Sequence, residues 1–398
     1  MSETDSVIKS QAEADRDYAV GLREYFHMHP ELSAKEFHTQ EKIEEELHKV
    51  GLKTKRIAKT GVMTEIKGEK PGGRTIVLRA DIDALPVQEQ HECAYKSQNP
   101  GVMHACGHDM HCSSLIEACR LLAKNRSLFG GTVRVTFQPG EEIGYGAHLI
   151  VNEGDLKGCG RSFGLHAASD VPVGKVAAVP GPNNASVDWF NIHVTGKGVH
   201  VSTPQLGVDA AYIAAQIVVA AQALVTRRTD PMENVLLGIG KITAGNAYNV
   251  VAEKADIEGT IRVFSQETRK KIREELADLS EKIAAIYGGT AEVAYEDNTS
   301  PLINDPESTK EVQTTLSHLI GKENVVTDRR PSLGGDDFAE FNLRVPGCYA
   351  YVGTRNEKKP NTTCAHHDSH FDIDEDAVVI AAEVYAAYAI DYLNGTFD

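Results

Sequence analysis

The sequence predicts an α/β protein: a catalytic domain built on a mixed sheet flanked by helices, interrupted by an inserted α+β module. Three observations carry this. Helical and strand patterns alternate through the first part of the chain. A Pro/Gly/Asn-rich break, "VPGPNNAS", then interrupts them at residues 179–186. After a self-contained run of strands and helices, the alternation resumes toward the C-terminus. A chain of 398 residues is also too long for one small core.

Residues 10–50 read as an amphipathic helical region, interrupted near Pro30 and ended by Gly51. "MTEIKG" and "TIVLRA" read as strands, the second apolar enough to be buried. A helix is expected from about His111 to Lys124, then a strand at "GTVRVTFQP". Beyond the break, "VDWFNIHVTG" alternates like a half-exposed strand, and an Ala/Val-rich helix follows over 208–226. Strands at 234–242, 255–264 and 290–296 surround a helix at 267–286; "CYAYVG" and an Ala-rich final helix from Glu375 complete the chain. The expected boundaries are 1–183 and 298–398 for the catalytic domain and 184–297 for the insertion. Internal repeats and low-complexity tracts are not evident.

The net charge of −16, with 57 acidic against 41 basic side chains, argues against a nucleic-acid partner and tolerates a bound cation. No apolar run is read as approaching the roughly 20 residues that span a bilayer, so no membrane association is expected. The polar, acidic start "MSETDSVIKSQAEADRDY" is unlike a secretory signal, and the expected address is cytoplasmic. Seven cysteines, an odd number spread thinly, suit a reducing compartment better than a disulfide scaffold.

Five stretches carry chemistry. "MHACGHDMHC" (103–112) holds Cys106 and His108 across a glycine, a tight turn that lets two ligands converge on one ion. A structural zinc knot lacks the second CxxC-type pair, whereas a Cys106 nucleophile with a histidine base stays open on these residues. "RADIDALP" ends an apolar strand with Asp81 and Asp83, and strand ends of open α/β sheets are where ligands bind. Asp83 serves equally well there as a turn cap. "VTFQPGEEIGYGA" places Glu141 and Glu142 directly after a strand, pointing in different directions. One can hold a metal while the other reaches the water that the metal activates. "FGLHAAS" puts His166 at another strand end, and "CAHHDSHF" (364–371) adds three histidines; taken alone, these are a packed core residue and a solvated turn. Jointly the five stretches bring thiolate, imidazole and carboxylate donors to one sheet's rim. That mixture suits a pair of Zn²⁺, Mn²⁺ or Co²⁺ ions over Mg²⁺ or Ca²⁺.

With these residues in view, the sequence resembles the amidohydrolase branch of the aminoacylase/glutamate-carboxypeptidase dinuclear metallopeptidases. That branch includes hippurate hydrolases, N-acetyl-diaminopimelate deacetylases, auxin-conjugate hydrolases and aminobenzoyl-glutamate hydrolases. The resemblance runs nearly end to end, through "FHMHPELSAKEFHTQEKIEEEL", "RADIDALP", "MHACGHDMH", "FQPGEE", "GLHAA", "GKGVH", "NVVAEKADIEGTIRVF", "GGDDFAEF" and "HHDSHFDIDED". It implies that Cys106, His108, Glu142, His166 and His367 ligate two divalent cations, with His366 and His370 as alternatives for the last. It makes Glu141 the general acid/base and Asp83 the residue that orients a ligand or that base, with Asp109 beside the ligand pair. It implies further that His200 reaches the partner subunit's active site to stabilise the oxyanion, and that Asn249 and Arg262 bind substrate. A ferredoxin-like lid that dimerises the chain is the implied role of the insertion. Two departures bear on specificity: "GGDDFAEF" where Gly-Ser-Glu-Asp-Phe is usual, and "VSTPQLGVDAA" after the lid histidine.

The expected activity is hydrolysis of the amide bond of a small N-acyl amino acid or short peptide. A dipeptidase or carboxypeptidase of the same family is the alternative within enzymes. A non-catalytic metal-binding relative is a further one, disfavoured because a sensor has no need of Glu141.

Overall fold

The computed structural model describes residues 3–398. Its larger unit takes the chain up to Gly181 together with Ile303–Arg330 and Asp336–Asp398; a second unit takes Pro182–Leu302 and Pro331–Gly335.

The larger unit is organised by an eight-stranded mixed sheet. Its strands are β1 (Thr54–Ile57), β2 (Gly61–Lys67), β3 (Lys70–Asp81), β4 (Gly130–Gln138), β5 (Arg161–Pro172) and β6 (Val176–Ala177), joined by Val325–Val326 and Gly347–Arg355 from the C-terminal segment. The spatial order is β1, β2, β4, β3, β5, Gly347–Arg355, β6, Val325–Val326. The four central strands β4, β3, β5 and Gly347–Arg355 run parallel. Parallel strands are covered on both faces, and Gly347–Arg355 is buried at every residue but the last.

Helices α1 (Glu3–Ala14), α2 (Arg16–Met28), α3 (Phe37–Lys49) and α4 (His108–Lys124) pack with the C-terminal helix Asp376–Leu393 around this sheet. The helical region expected over 10–50 is therefore three helices, broken at Asp15 and again over 29–36. α4 starts at His108, three residues before the position its apolar pattern suggests. Gly107 explains the early start: it sits at φ +90°, and a Cβ there would lie 2.9 Å from the Ala167 Cβ. This glycine turns the chain into the helix while packed against β5.

The second unit has four antiparallel strands, in the order Thr290–Thr299, Val187–Thr195, Lys254–Val263, Val235–Ala244. Helices Ala210–Ala223 and Gln266–Ile286 share its separate core, giving a β-α-β-β-α-β, ferredoxin-like arrangement. Each helix has a side-chain N-cap: Asp209 accepts from the amides of Ala211 and Tyr212, and Ser265 from that of Thr268. One expectation is corrected here. Ala210–Arg228 is long and apolar enough to cross a membrane by length and composition. Its Ile213, Ile217, Ala221 and Leu224 are buried in the core with the sheet, which accounts for one apolar face.

Candidate active site

Strand register sets the site. Asp81 on β3 pairs with Gln138 on β4, and Arg79 pairs with Gly164, so His166 two residues on comes level with Asp81; Tyr351 pairs with His166 on the next strand. The carboxyl ends of parallel strands thus present one polar rim, the place where open α/β sheets bind ligands. The chain leaving β3 carries Asp83, and the chain leaving β4 carries Glu141 and Glu142. The turn into α4 adds Cys106 and His108, and residues 366–367 arrive from the C-terminal segment.

The ligand atoms of Cys106, His108 and His166 all lie within 4.8 Å of one another, as do those of Cys106, Glu142 and His367, and those of His108, Glu141 and Glu142. The ring geometry favours metal binding. His108 Nδ1 faces the Asp83 carbonyl at 2.9 Å, and His166 Nδ1 faces the Ala167 carbonyl at 2.6 Å. Donating Nδ1–H to a carbonyl leaves each Nε2 with a free lone pair, the usual state of a ligating histidine. His166 Nε2 lies 3.6 Å from Cys106 Sγ, and His108 Nε2 lies 3.8 Å from Glu142 Oε1. His108 Nε2, Glu142 Oε1 and Asp83 Oδ1 are buried with no hydrogen-bond partner among the described residues. Buried polar atoms are rarely left so; His108 Nε2 and Glu142 Oε1 face each other across 3.8 Å, while Asp83 Oδ1 lies on the other side of the ring, 3.3 Å from His108 Nδ1.

His367 Nε2 is 3.6 Å from Glu142 Oε1, while its backbone N–H donates to the Ala105 carbonyl and its φ is +69°. His366 also enters the pocket, with its ring 5.1 Å from that of His166 and 4.9 Å from that of Phe371. His370 is exposed and engages Asp368.

The electrostatics describe a pocket short of positive charge. Burial pushes Glu142 up to about 7, reinforced by Asp83 and Asp81 and opposed by His108. Burial, with Asp336, Glu142, Asp337 and Asp81, holds Glu141 well above the usual carboxylate range. Burial pulls His108 down, but Asp81, Asp83 and Glu142 outweigh it and raise the ring to about 10. A bound cation reverses each of these pressures. Cys106 is a poor nucleophile in this setting, because burial and the carboxylates of Glu142 and Glu141 drive its thiol well up. Burial likewise drives His166 well down, leaving it a weak base for that thiol.

Behind the rim lies a layer that motif reading passed over. Glu36 accepts from the Gly140 amide (2.9 Å) and Thr60 Oγ1 (2.6 Å), pinning the turn that carries the two glutamates. Asp83 Oδ2 accepts from Ser33 Oγ (2.6 Å) and the Glu142 amide (3.1 Å). Fully buried Arg79 donates to Gln138 Oε1 (2.8 Å), to Asp337 Oδ1 (2.6 Å) and to Asp81. Asp337 also accepts from Gln138 Nε2 and the Ala147 amide. "GGDDFAEF" was the available signal, but nothing in its spacing announces Arg79 as its partner. Asp109, expected beside the ligand pair, points away from the donor set: its carboxylate accepts from Arg23 Nε (2.9 Å) and the Met110 amide (2.8 Å) and lies 2.7 Å from His27 Nδ1.

The second unit holds the other three predicted residues. His200 is exposed and bridges to Val250, and the Asn249 carbonyl accepts from the Val201 amide, so His200 and Asn249 are neighbours. His200 Nδ1 accepts from the Ser202 amide at 3.1 Å, which leaves the proton on Nε2 as an exposed donor. Arg262 lies on strand Lys254–Val263; its Nη1 is buried and makes no hydrogen bond among the described residues.

The fold and this donor set define a metal-binding hydrolase. Residues 77–391 match the model of peptidase family M20/M25/M40. The sequence is 37% identical over 392 residues to thermostable carboxypeptidase 2 of Saccharolobus solfataricus, covering 97% of this chain and 98% of that one. It is 37% identical over 377 residues to N-acetylcysteine deacetylase of Bacillus subtilis, covering 94% and 97%. Among solved structures, the Bacillus subtilis YXEP protein, a dinuclear metal-binding peptidase of the M20 family, superposes with a TM-score of 0.83 at 35% identity, over 96% of this chain and 99% of that one. The chain belongs to peptidase family M20/M25/M40 and is a hydrolase of amide bonds.

Proposed function

We propose that the chain hydrolyses N-acyl amino acids, releasing a carboxylate and a free amino acid, at a site for two divalent cations of the Mn²⁺, Zn²⁺ or Co²⁺ kind. The observation that carries this reading is the pair of three-donor sets, Cys106–His108–His166 and Cys106–Glu142–His367. Two sets sharing one thiol suit two ions, with the Cys106 proton displaced on loading. When bound, such ions polarise a carbonyl oxygen and lower the pKa of water.

The chain's own groups do the rest. Glu141 stands beside the donor set without being needed to complete either triad, so its carboxylate is available to take a proton from the attacking water. The same carboxyl then gives that proton to the amine nitrogen as the C–N bond breaks, and is ready for the next cycle. Asp83 orients the site twice, through its carbonyl to His108 and its carboxylate to the Glu142 amide. His200 Nε2–H is a donor suited to a developing oxyanion. In our reading it comes from the partner subunit of a homodimer, with Asn249 and Arg262 addressing the amino acid's carboxylate. The second unit then serves as lid and dimerisation module for a cytoplasmic enzyme.

The test is elemental analysis of the purified chain paired with hydrolysis of N-acetyl and N-benzoyl amino acids, before and after chelation and metal add-back. About two ions per chain with restorable turnover is the expected result; turnover indifferent to chelation overturns it. A carboxypeptidase reading draws support from the Saccharolobus relative. Free-amine dipeptides, cleaved faster than their N-acyl counterparts, would favour it.

A further inference from the structure

We propose that Glu89, His91 and Cys93 form a separate binding site for a zinc-like divalent cation, sharing no donor with the hydrolytic cluster. One oxygen, one nitrogen and one sulfur donor fall at alternate positions of an irregular segment, and their ligand atoms lie within 4.8 Å of one another. Cys93 Sγ is 4.0 Å from Glu89 Oε1. His91 Nδ1 is shielded from solvent and makes no hydrogen bond among the described residues, although Asp372 Oδ2 stands 3.7 Å away. A mixed S/N/O set of three with a fourth position left to Asp372 or water is the coordination that Zn²⁺ accepts.

The carboxylates are already held in place, as supporting groups hold metal ligands elsewhere. Glu89 is 3% exposed, and its Oε2 accepts from the Ser97 amide at 2.7 Å. Asp372 accepts from Arg23 Nη2 (2.7 Å) and Tyr95 OH (2.8 Å). His27 stands between Asp109 Oδ2 at 2.7 Å and Glu89 Oε1 at 3.2 Å, with Arg23 Nη2 3.4 Å from its Nδ1. Binding of a divalent ion would displace the Cys93 proton. His91 and Cys93 are partly exposed, which gives the ion a path from solvent.

Peptide-resolved alkylation of the full chain tests this independently of hydrolysis. After chelation, iodoacetamide labelling is followed at Cys93 and Cys106 with and without added Zn²⁺; trypsin separates the two at Lys96. Zn²⁺ is expected to slow labelling of Cys93 by about tenfold or more. His91→Ala should abolish that protection while Cys106 stays protected and turnover is unchanged. Cys93→Ser should carry one Zn²⁺ per chain fewer than the wild type. Labelling of Cys93 that ignores Zn²⁺, equal protection in His91→Ala, or an unchanged metal content in Cys93→Ser overturns the proposal. Loss of Cys106 protection alone speaks against the hydrolytic cluster and leaves this site standing.

Discussion

His111 Nε2 accepts the backbone amide of Ala167 at 2.8 Å while its Nδ1–H donates to Asp81 Oδ1 at 2.6 Å. The ring is a strut between β3 and β5, and its one available nitrogen lone pair, on Nε2, is spent on β5 just beside His166. Of the three histidines in "MHACGHDMHC", this one is therefore removed from the ligand pool although its ring lies 5.2 Å from that of His108 and 4.6 Å from that of His166. His111→Ala is expected to lower metal affinity and turnover by about 10–100-fold, as loss of a supporting partner does. Metal titration by calorimetry checks the affinity, and an unchanged far-ultraviolet circular dichroism spectrum would locate the effect in the site.

Glu141 and Glu142 take different roles in the proposed reaction. Glu141→Gln should cut kcat by about 10²–10⁴-fold, the usual worth of a proton carrier, with metal content retained. Glu142→Gln should lose metal. Elemental analysis and kcat on one N-acetyl amino acid separate the two; equal metal loss in both variants would contradict the division of roles.

Arg79 is the single guanidinium bound by both Asp81 and Asp337, and all three are fully buried. Arg79→Met removes the cation and strands the carboxylates, an error worth about 3–5 kcal/mol. Urea denaturation should show that loss, with an unchanged m-value if the fold is otherwise kept.

Glu383 lies on the C-terminal helix, 3% exposed, and burial raises it to about 7, Lys9 opposing and Glu13 adding. An unfolded glutamate ionises near 4.5, so the unfolded chain releases its proton first as pH rises. The stability that the protonated form preserves is fully present below 4.5 and is lost as pH climbs through about 7. Glu383→Gln should thus raise the melting temperature at pH 8 by a few degrees and change little at pH 4.5. Calorimetric scans at the two pH values decide it, and a larger gain at the acidic end would reverse the assignment.

That the motif residues come together was legible in the sequence. Cys106, His108, Glu141, Glu142 and His166 sit at the ends of apolar runs, and sheet geometry alone brings such ends to one rim. Pairings across sequence were not legible. Arg79 meets Asp337, and Glu36 meets the Gly140 amide, because separate segments fold against one β-rim, and no short-range pattern encodes that. Whether His366 or His367 turns toward Glu142 depends on a positive φ at a non-glycine residue, which side-chain identity does not specify. The start of α4 was misplaced for a related reason: the left-handed Gly107 opens the helix before its apolar periodicity begins.

The donors of the larger unit are not delivered together during synthesis. Cys106, His108, Glu142 and His166 precede residues 182–302, and His367 follows them. On a ribosome, where N-terminal segments emerge and fold first, the growing polypeptide carries most of the donor set long before the last histidine leaves the exit tunnel. A premature stop anywhere in that interval yields a fragment without the Cys106–Glu142–His367 set. If His367 ligates as proposed, hydrolytic competence would be tied to completion of translation, and truncated products would be silent toward the amide pool around them.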